Sequence, residues 1–331
     1  MSASSAFRSI ALRAALAFAM PMLACAETAS AQATFDVSFD ASASVLSADE
    51  RAEITSHVQA AGRRWMRVIP IAGPRSIDVR ISISDAPTAN GASVTTALIG
   101  TIGGRETYQQ GVAYELLTGI DPNDDEPDAS IAFGLAYLRN ELWFDPDPDA
   151  RTAPVPNDRT DAMSTVLHEL GHILAYNGWS DLTTGEPPAT YWSVWDAWIV
   201  PGERPVFSGD AATAAWSGIA PDLTIGNINH WGNAPGRAPA VARCTGDAMT
   251  WRWNAPSPRR CDAPPSSDAP LLADSGAPRG APGLIDQLMN GVTFYRGHRY
   301  DISPLDIGVL IDVGVLDDWI FFSGFERPVR D

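Results

Sequence analysis

The stretch Thr165-Val166-Leu167-His168-Glu169-Leu170-Gly171-His172-Ile173-Leu174 sets two histidines four residues apart, with a glutamate directly after the first. Met163, Val166, Leu167, Leu170, Ile173 and Leu174 recur at helical spacing around it. A helix with one buried side is therefore predicted over residues 161–176, with Gly178 suited to its C-terminal cap. Residues four apart on a helix share a face, with Cβ atoms about 5–6 Å apart. Two imidazoles so placed can bind one Zn²⁺ at about 2.0–2.1 Å each. Glu169 then projects beside the metal without ligating it, where it can take a proton from a zinc-bound water. The chain has only 5 His in 331 residues. At that composition about 0.003 chance occurrences of the pattern are expected, so accident explains it poorly.

A catalytic zinc needs a third protein ligand and an open fourth position. His57, His230 and His298 remain. His57 falls in the middle of an amphipathic helix and is expected to be packed or solvated. His230 sits in the turn-rich Asn227-Ile228-Asn229-His230-Trp231-Gly232, which could reach back over the helix. Asp181, Glu186 and Asp196 are carboxylate alternatives with no evident ligand context. Trp192, Trp195 and Trp198 recur every three residues in a predicted helix over 191–199, a spacing that reads as core packing.

Elsewhere, strands are predicted over 34–43, 77–83, 108–117 and 131–138 from alternating or continuous apolar residues. Ser47-Ala48-Asp49-Glu50 is a capping-box signature opening a helix to Met66, with Ile54, Val58, Ala61 and Trp65 on one face. The proline- and aspartate-rich 145–156 is expected to be irregular, 303–316 helical, and 262–283 a long surface loop. The acidic runs 121–128 and 145–149 offer oxygens of the kind Ca²⁺ takes. They lack the spacing of a known calcium loop, so no specific motif supports Ca²⁺, and solvated acidic faces are expected.

The order of these motifs resembles the leishmanolysin-type metzincins. An H-E-x-x-H helix is followed by a long insertion, His230-Trp231, Gln287-Leu288-Met289-Asn290, and the apolar segment from Ile302-Ser303-Pro304-Leu305-Asp306-Ile307 to Val313-Gly314-Val315. The likeness spans residues 129–317. It implies an α+β, metzincin-like zinc peptidase domain: a twisted mixed sheet, an active-site helix and a C-terminal half that is mostly irregular or helical. It also implies His168, His172 and His230 as ligands of one catalytic Zn²⁺, a methionine turn at Met289 beneath the metal, and Glu169 as the catalytic base of an endopeptidase acting on proteins or peptides. Ala175 stands where the family has glycine, and Gly178 where its short form has a third histidine. His298 follows the methionine, out of the family's order. Tyr295 and Tyr300 are candidates to assist an oxyanion, though no motif places them there. The alternative is a non-catalytic secreted protein that binds zinc and serves as a binding or surface module.

Composition narrows the setting. Hydrophobic residues make up 45% and charged residues 19%, enough for a packed core. All 23 basic residues are Arg, set against 40 acidic ones for a net charge of −17. Such a chain repels phosphate backbones and anionic membrane surfaces, which excludes nucleic acid as a partner. Residues 1–33 have the form of an export signal: Arg8 and Arg13, an apolar stretch, then Ala31-Gln32-Ala33 before Thr34. A secreted or periplasmic location follows, with no membrane span, and a monomer is expected. A lipid anchor at Cys25 is disfavoured because Met22 stands where such sites carry Leu. The mature chain keeps Cys244 and Cys261, expected to form one disulfide. The domain is expected over 34–317, an upper part to 178 and a lower part from 179, with 318–331 as a tail.

Overall fold

Ile77, Val79 and Ile81 have no exposed surface, while Asp78 and Arg80 between them face solvent. This alternation makes their strand the half-buried centre of a sheet. The computed structural model describes residues 33–232, 283–291 and 293–316, and the backbone of 249–250 and 259–260. In chain order these form β1 (Ala33–Phe39), α1 (Ala48–Met66), β2 (Arg75–Ser84), β3 (Ala89–Ser93), β4 (Thr96–Ile102), β5 (Arg105–Gln110), α2 (Gly111–Thr118), β6 (Ala129–Gly134), α3 (Leu135–Asn140), α4 (Ala162–Leu174), α5 (Asp210–Ala215) and α6 (Pro304–Asp312). Short strands of two to five residues fill the path between α4 and α6. The architecture is mixed α and β, with six helices among the described residues.

The main sheet runs in the order β1-β2-β6-β3. β1, β2 and β6 are parallel, and β3 closes the edge antiparallel to β6, with Gly91 opposite Ile131. α1 lays Ile54, Val58, Ala61 and Trp65, all fully buried, between this sheet and α4. Each such Ile or Val contributes about 1.5–3 kcal/mol through burial. The Trp65 indole donates to the Leu167 carbonyl of α4 at 3.0 Å, tying the helices together. α4 has all 13 residues buried, as expected of a helix enclosed on every side. Asp161 caps it, accepting from Ser164 N at 3.1 Å and from Arg151 at 2.7 Å.

Several predicted elements take a different form. The strand expected over 34–43 ends at Phe39, where Asp40 caps a 3₁₀ turn, Ala41–Val45. Ala33, read as the end of the export signal, is the first paired residue of β1. The strand expected over 108–117 stops at Gln110; Val112, Ala113 and Leu116 lie at helical spacing, and Gly119 at φ 76° ends α2. The strand expected over 131–138 gives way at Gly134 to α3.

Residues 191–199 are not a helix but the strand Tyr191–Ser193 beside β5, then one 3₁₀ turn. The Asp196 carboxylate explains this, because it accepts from the backbone N–H of Trp179, Ser180 and Ser193 and folds the chain around itself. Gly178 is therefore no helix cap. A Cβ there would sit 2.2 Å from an Asp196 oxygen, and α4 ends instead at Ala175. Helix α6 ends at Asp312, short of 316. Residues 1–32, Cys25, Cys244, Cys261, 262–282 and 318–331 lie outside the described residues, and with them the signal, the disulfide, most of the long loop and the tail. Among the described residues no helix is long and apolar enough to cross a membrane.

Candidate metal centre

His168 and His172 lie one turn apart on α4, and the strand Asn227–Trp231 brings His230 to them. The three Nε2 atoms form a near-equilateral triangle: 3.1 Å between His168 and His172, 3.0 Å between His168 and His230, and 2.9 Å between His172 and His230. All three rings are buried. His168 Nδ1 lies 2.7 Å from the Leu288 carbonyl, and His172 Nδ1 lies 2.7 Å from the Tyr176 carbonyl. Those nitrogens must carry the proton, since a carbonyl oxygen only accepts. Burial pushes His168 down to about 3 and His172 to about 4, and His230 well below its ordinary value, so the rings are neutral. His168 and His172 then aim bare lone pairs at a point that His230 also faces. Such lone pairs repel unless a cation lies between them. Three neutral imidazoles are a donor set suited to a divalent transition metal.

The floor of the site is built from the segment after 283. Met289 is fully buried, with its sulfur against α4 at Gly171: a Cβ there would lie 2.5 Å from it. Trp231 N–H donates to the Met289 carbonyl at 2.8 Å and Gly291 N–H to the Trp231 carbonyl at 2.9 Å. The third histidine and the methionine segment are thus stitched together by backbone. Gly291 must be small, because a Cβ there would meet His230 Cβ at 2.7 Å. Phe294 presents its ring edge-on to His168 with centroids 5.3 Å apart. Below His230-Trp231 lies an aromatic cluster of Tyr176, Trp195, Phe207 and Trp231. The Tyr176 hydroxyl donates to Asp306 of α6 at 2.8 Å, so the carbonyl that orients His172 is anchored to the C-terminal helix.

Glu169 points away from the ring triangle's floor, toward β3. Its carboxyl lies near the Gly91 backbone, and burial pushes it up to about 8. Gly91 is needed for the approach, since a Cβ there would lie 2.5 Å from the Glu169 carbonyl. Gly91, Leu288, Tyr176 and Phe294 were not legible as site residues. The available hint was a glycine inside a strand, which often marks a close approach of another backbone.

The other candidates lie elsewhere. His298 Nδ1 bonds the Arg296 carbonyl at 3.1 Å. His57 is packed against Phe144, with Nε2 accepting from Asp145 N–H at 3.0 Å. Asp181 closes an exposed turn with Thr183 and Thr184, Glu186 is exposed, and Asp196 holds the backbone donors already described. Trp195 is core, whereas half-buried Trp192 and Trp198 donate to Thr107 and to the Asp312 carbonyl. Tyr300 is buried with its hydroxyl accepting from Tyr295 N–H at 3.1 Å, and Tyr295 packs on His298, so neither is placed at the ring triangle. The runs 121–128 and 145–149 are not simply solvated. Asp128 is buried, and so is Asp145, which is paired with Arg299. No family model, curated protein or solved structure is similar to the chain at a significant level.

Proposed function

We propose that this chain is an exported zinc-dependent endopeptidase of the metzincin type, resembling the leishmanolysin-like members, with His168, His172 and His230 as zinc ligands. The observation that carries this reading is a buried carboxyl, Glu169, next in sequence to one of three neutral imidazoles whose ring nitrogens converge. A structural zinc site fills its positions with four protein ligands, whereas three histidines leave one position for reactants. When bound, zinc supplies a Lewis acid that acidifies water and polarises the scissile carbonyl. Glu169 takes the proton from the attacking water and delivers it to the departing amine. Gly91 of β3, packed on the Glu169 backbone, positions the carboxyl for both transfers. Leu288 and Tyr176 hold the ligand rings in one tautomer. Met289 supports the helix beneath them.

The test is Glu169→Gln in the full chain with casein as substrate. Zinc content stays at the wild-type level, and hydrolysis falls by about 10²–10⁴-fold, the usual contribution of a general base. Undiminished hydrolysis would remove Glu169 from the reaction. Wild-type protein that holds zinc but cleaves nothing would favour a binding module instead.

A further inference from the structure

Away from the histidines, three aromatic rings meet at right angles on an exposed sheet face. The strand Tyr191–Ser193 pairs in parallel with β5, which sets Tyr191 beside Glu106 and Ser193 beside Tyr108. Partners in register share a face, and so do residues two apart on a strand. Glu106, Tyr108 and Tyr191 therefore project from the same side of this sheet. Trp179, from the segment after α4, stands against both tyrosines. Its ring centroid lies 5.5 Å from that of Tyr108 at 87°, and 5.3 Å from that of Tyr191 at 76°. Trp179 and Tyr191 each remain 40% exposed.

This corner is fixed from beneath. The buried Asp196 carboxylate accepts from Trp179 N–H at 2.8 Å and from Ser193 N–H at 2.9 Å, so one side chain holds both aromatic segments. Gln110 of β5 adds a bond to the Asn177 carbonyl at 3.1 Å. Large rings that are open to solvent and already ordered are preorganised for a ligand. The Glu106 carboxylate accepts from the Tyr108 hydroxyl at 3.0 Å and makes no ion pair among the described residues. Arg105, next to it in sequence, points to the other face and lies over the Trp192 ring at 4.7 Å.

Aromatic faces carry negative potential, and Glu106 adds a full negative charge beside them. We propose that Tyr108, Trp179, Tyr191 and Glu106 form a binding site for the quaternary ammonium group of a small choline-type molecule. A trimethylammonium group has no N–H to satisfy, so walls of aromatic carbon with a single carboxylate suit it. A primary ammonium has three donors to place and finds only that carboxylate. An uncharged group of the same shape gains apolar contact but not the attraction of a cation to ring faces.

The experiment uses the full chain with zinc held constant, so that the histidine site is the same in every arm. Saturation-transfer NMR follows the trimethyl signal of choline chloride. Choline binds saturably, whereas its uncharged isostere 3,3-dimethylbutan-1-ol and the primary amine ethanolamine bind about tenfold more weakly, the scale of a desolvated cation–π contact. Trp179→Leu weakens choline binding by a similar factor, and Glu106→Gln by about threefold, with thermal midpoints close to the wild type because both side chains are exposed. Absence of a saturable signal, equal binding of the isostere, or undiminished binding in both variants would overturn the assignment. Capture by phosphatidylcholine vesicles without binding of free choline would replace it with a bilayer surface.

Discussion

Gly171 and Gly91 set the packing tolerances around the histidine triangle and Glu169. Gly171 sits between His168 and His172 with Met289 sulfur against it, and Gly91 lies on the backbone of Glu169. Gly171→Ala must push Met289 aside, and overpacking of this kind costs about 1–3 kcal/mol. Urea unfolding should read that loss, with zinc bound less tightly than in the wild type. His230→Ala is a cleaner probe of the ligand set, because it leaves α4 intact. Metal analysis of the purified variant should find zinc reduced to a small fraction, and full retention would mean that another group supplies the third bond. His168, Glu169 and His172 were legible because their relationship is local, one helical turn. His230 emerged only from the order of motifs, since nothing in Asn227-Ile228-Asn229-His230 by itself points across 62 residues to His168. The Leu288 carbonyl, 120 residues from the ring it orients, leaves no mark in side-chain sequence at all.

Helix α1 shows an element whose sequence signals all agree. Ser47 accepts from Glu50 N–H at 3.1 Å, Glu50 accepts from Ser47 N–H at 2.7 Å, and Arg139 reaches over to Glu50 at 2.7 Å. Ser47→Ala should cost about 1 kcal/mol in denaturant unfolding, the usual loss for such a cap. Arg139, and then the Ser47 N–H, hold the Glu50 carboxyl down at about 2, against an ordinary 4.5. A lowered carboxyl stabilises the fold fully above about pH 4.5 and loses that contribution as the pH falls through 2. The stability gap between wild type and Glu50→Gln should therefore be widest near neutrality and close on acidification; a gap independent of pH would contradict this. Elements were misread where a strand passes directly into a helix. At 105–118 the polar strand Arg105–Gln110 runs straight into α2, and at 129–140 β6 runs straight into α3, with no intervening loop to mark the change of period. At 191–199 the tryptophan spacing is helical, but the Asp196 carboxylate binds backbone donors that a helix would have consumed.

At the scale of the molecule, the histidine site joins α4 to segments that follow it by some 60 to 120 residues. Ion binding there should therefore stabilise the whole fold by mass action. Phenanthroline, which prefers transition metals to calcium, should lower the thermal midpoint by several degrees, and added zinc should restore it. His230→Ala should show no such response, whereas a wild-type midpoint indifferent to the chelator would exclude a role for the ion in cohesion. The general class of architecture was legible from the alternating 77–83 strand and the amphipathic α1, because both periods are visible in single stretches. The sheet order was not, since β3 crosses to pair beyond β6 and only the folded chain records that choice. The backbone ladder between Trp231 and the residues around Met289 bears on how such a chain can change over evolutionary time. Both rungs join backbone groups, so side-chain substitution along them leaves the hydrogen bonds in place, except at Gly291, where a Cβ would meet His230 Cβ. Sequence can therefore drift along this ladder while His230 keeps its place against α4.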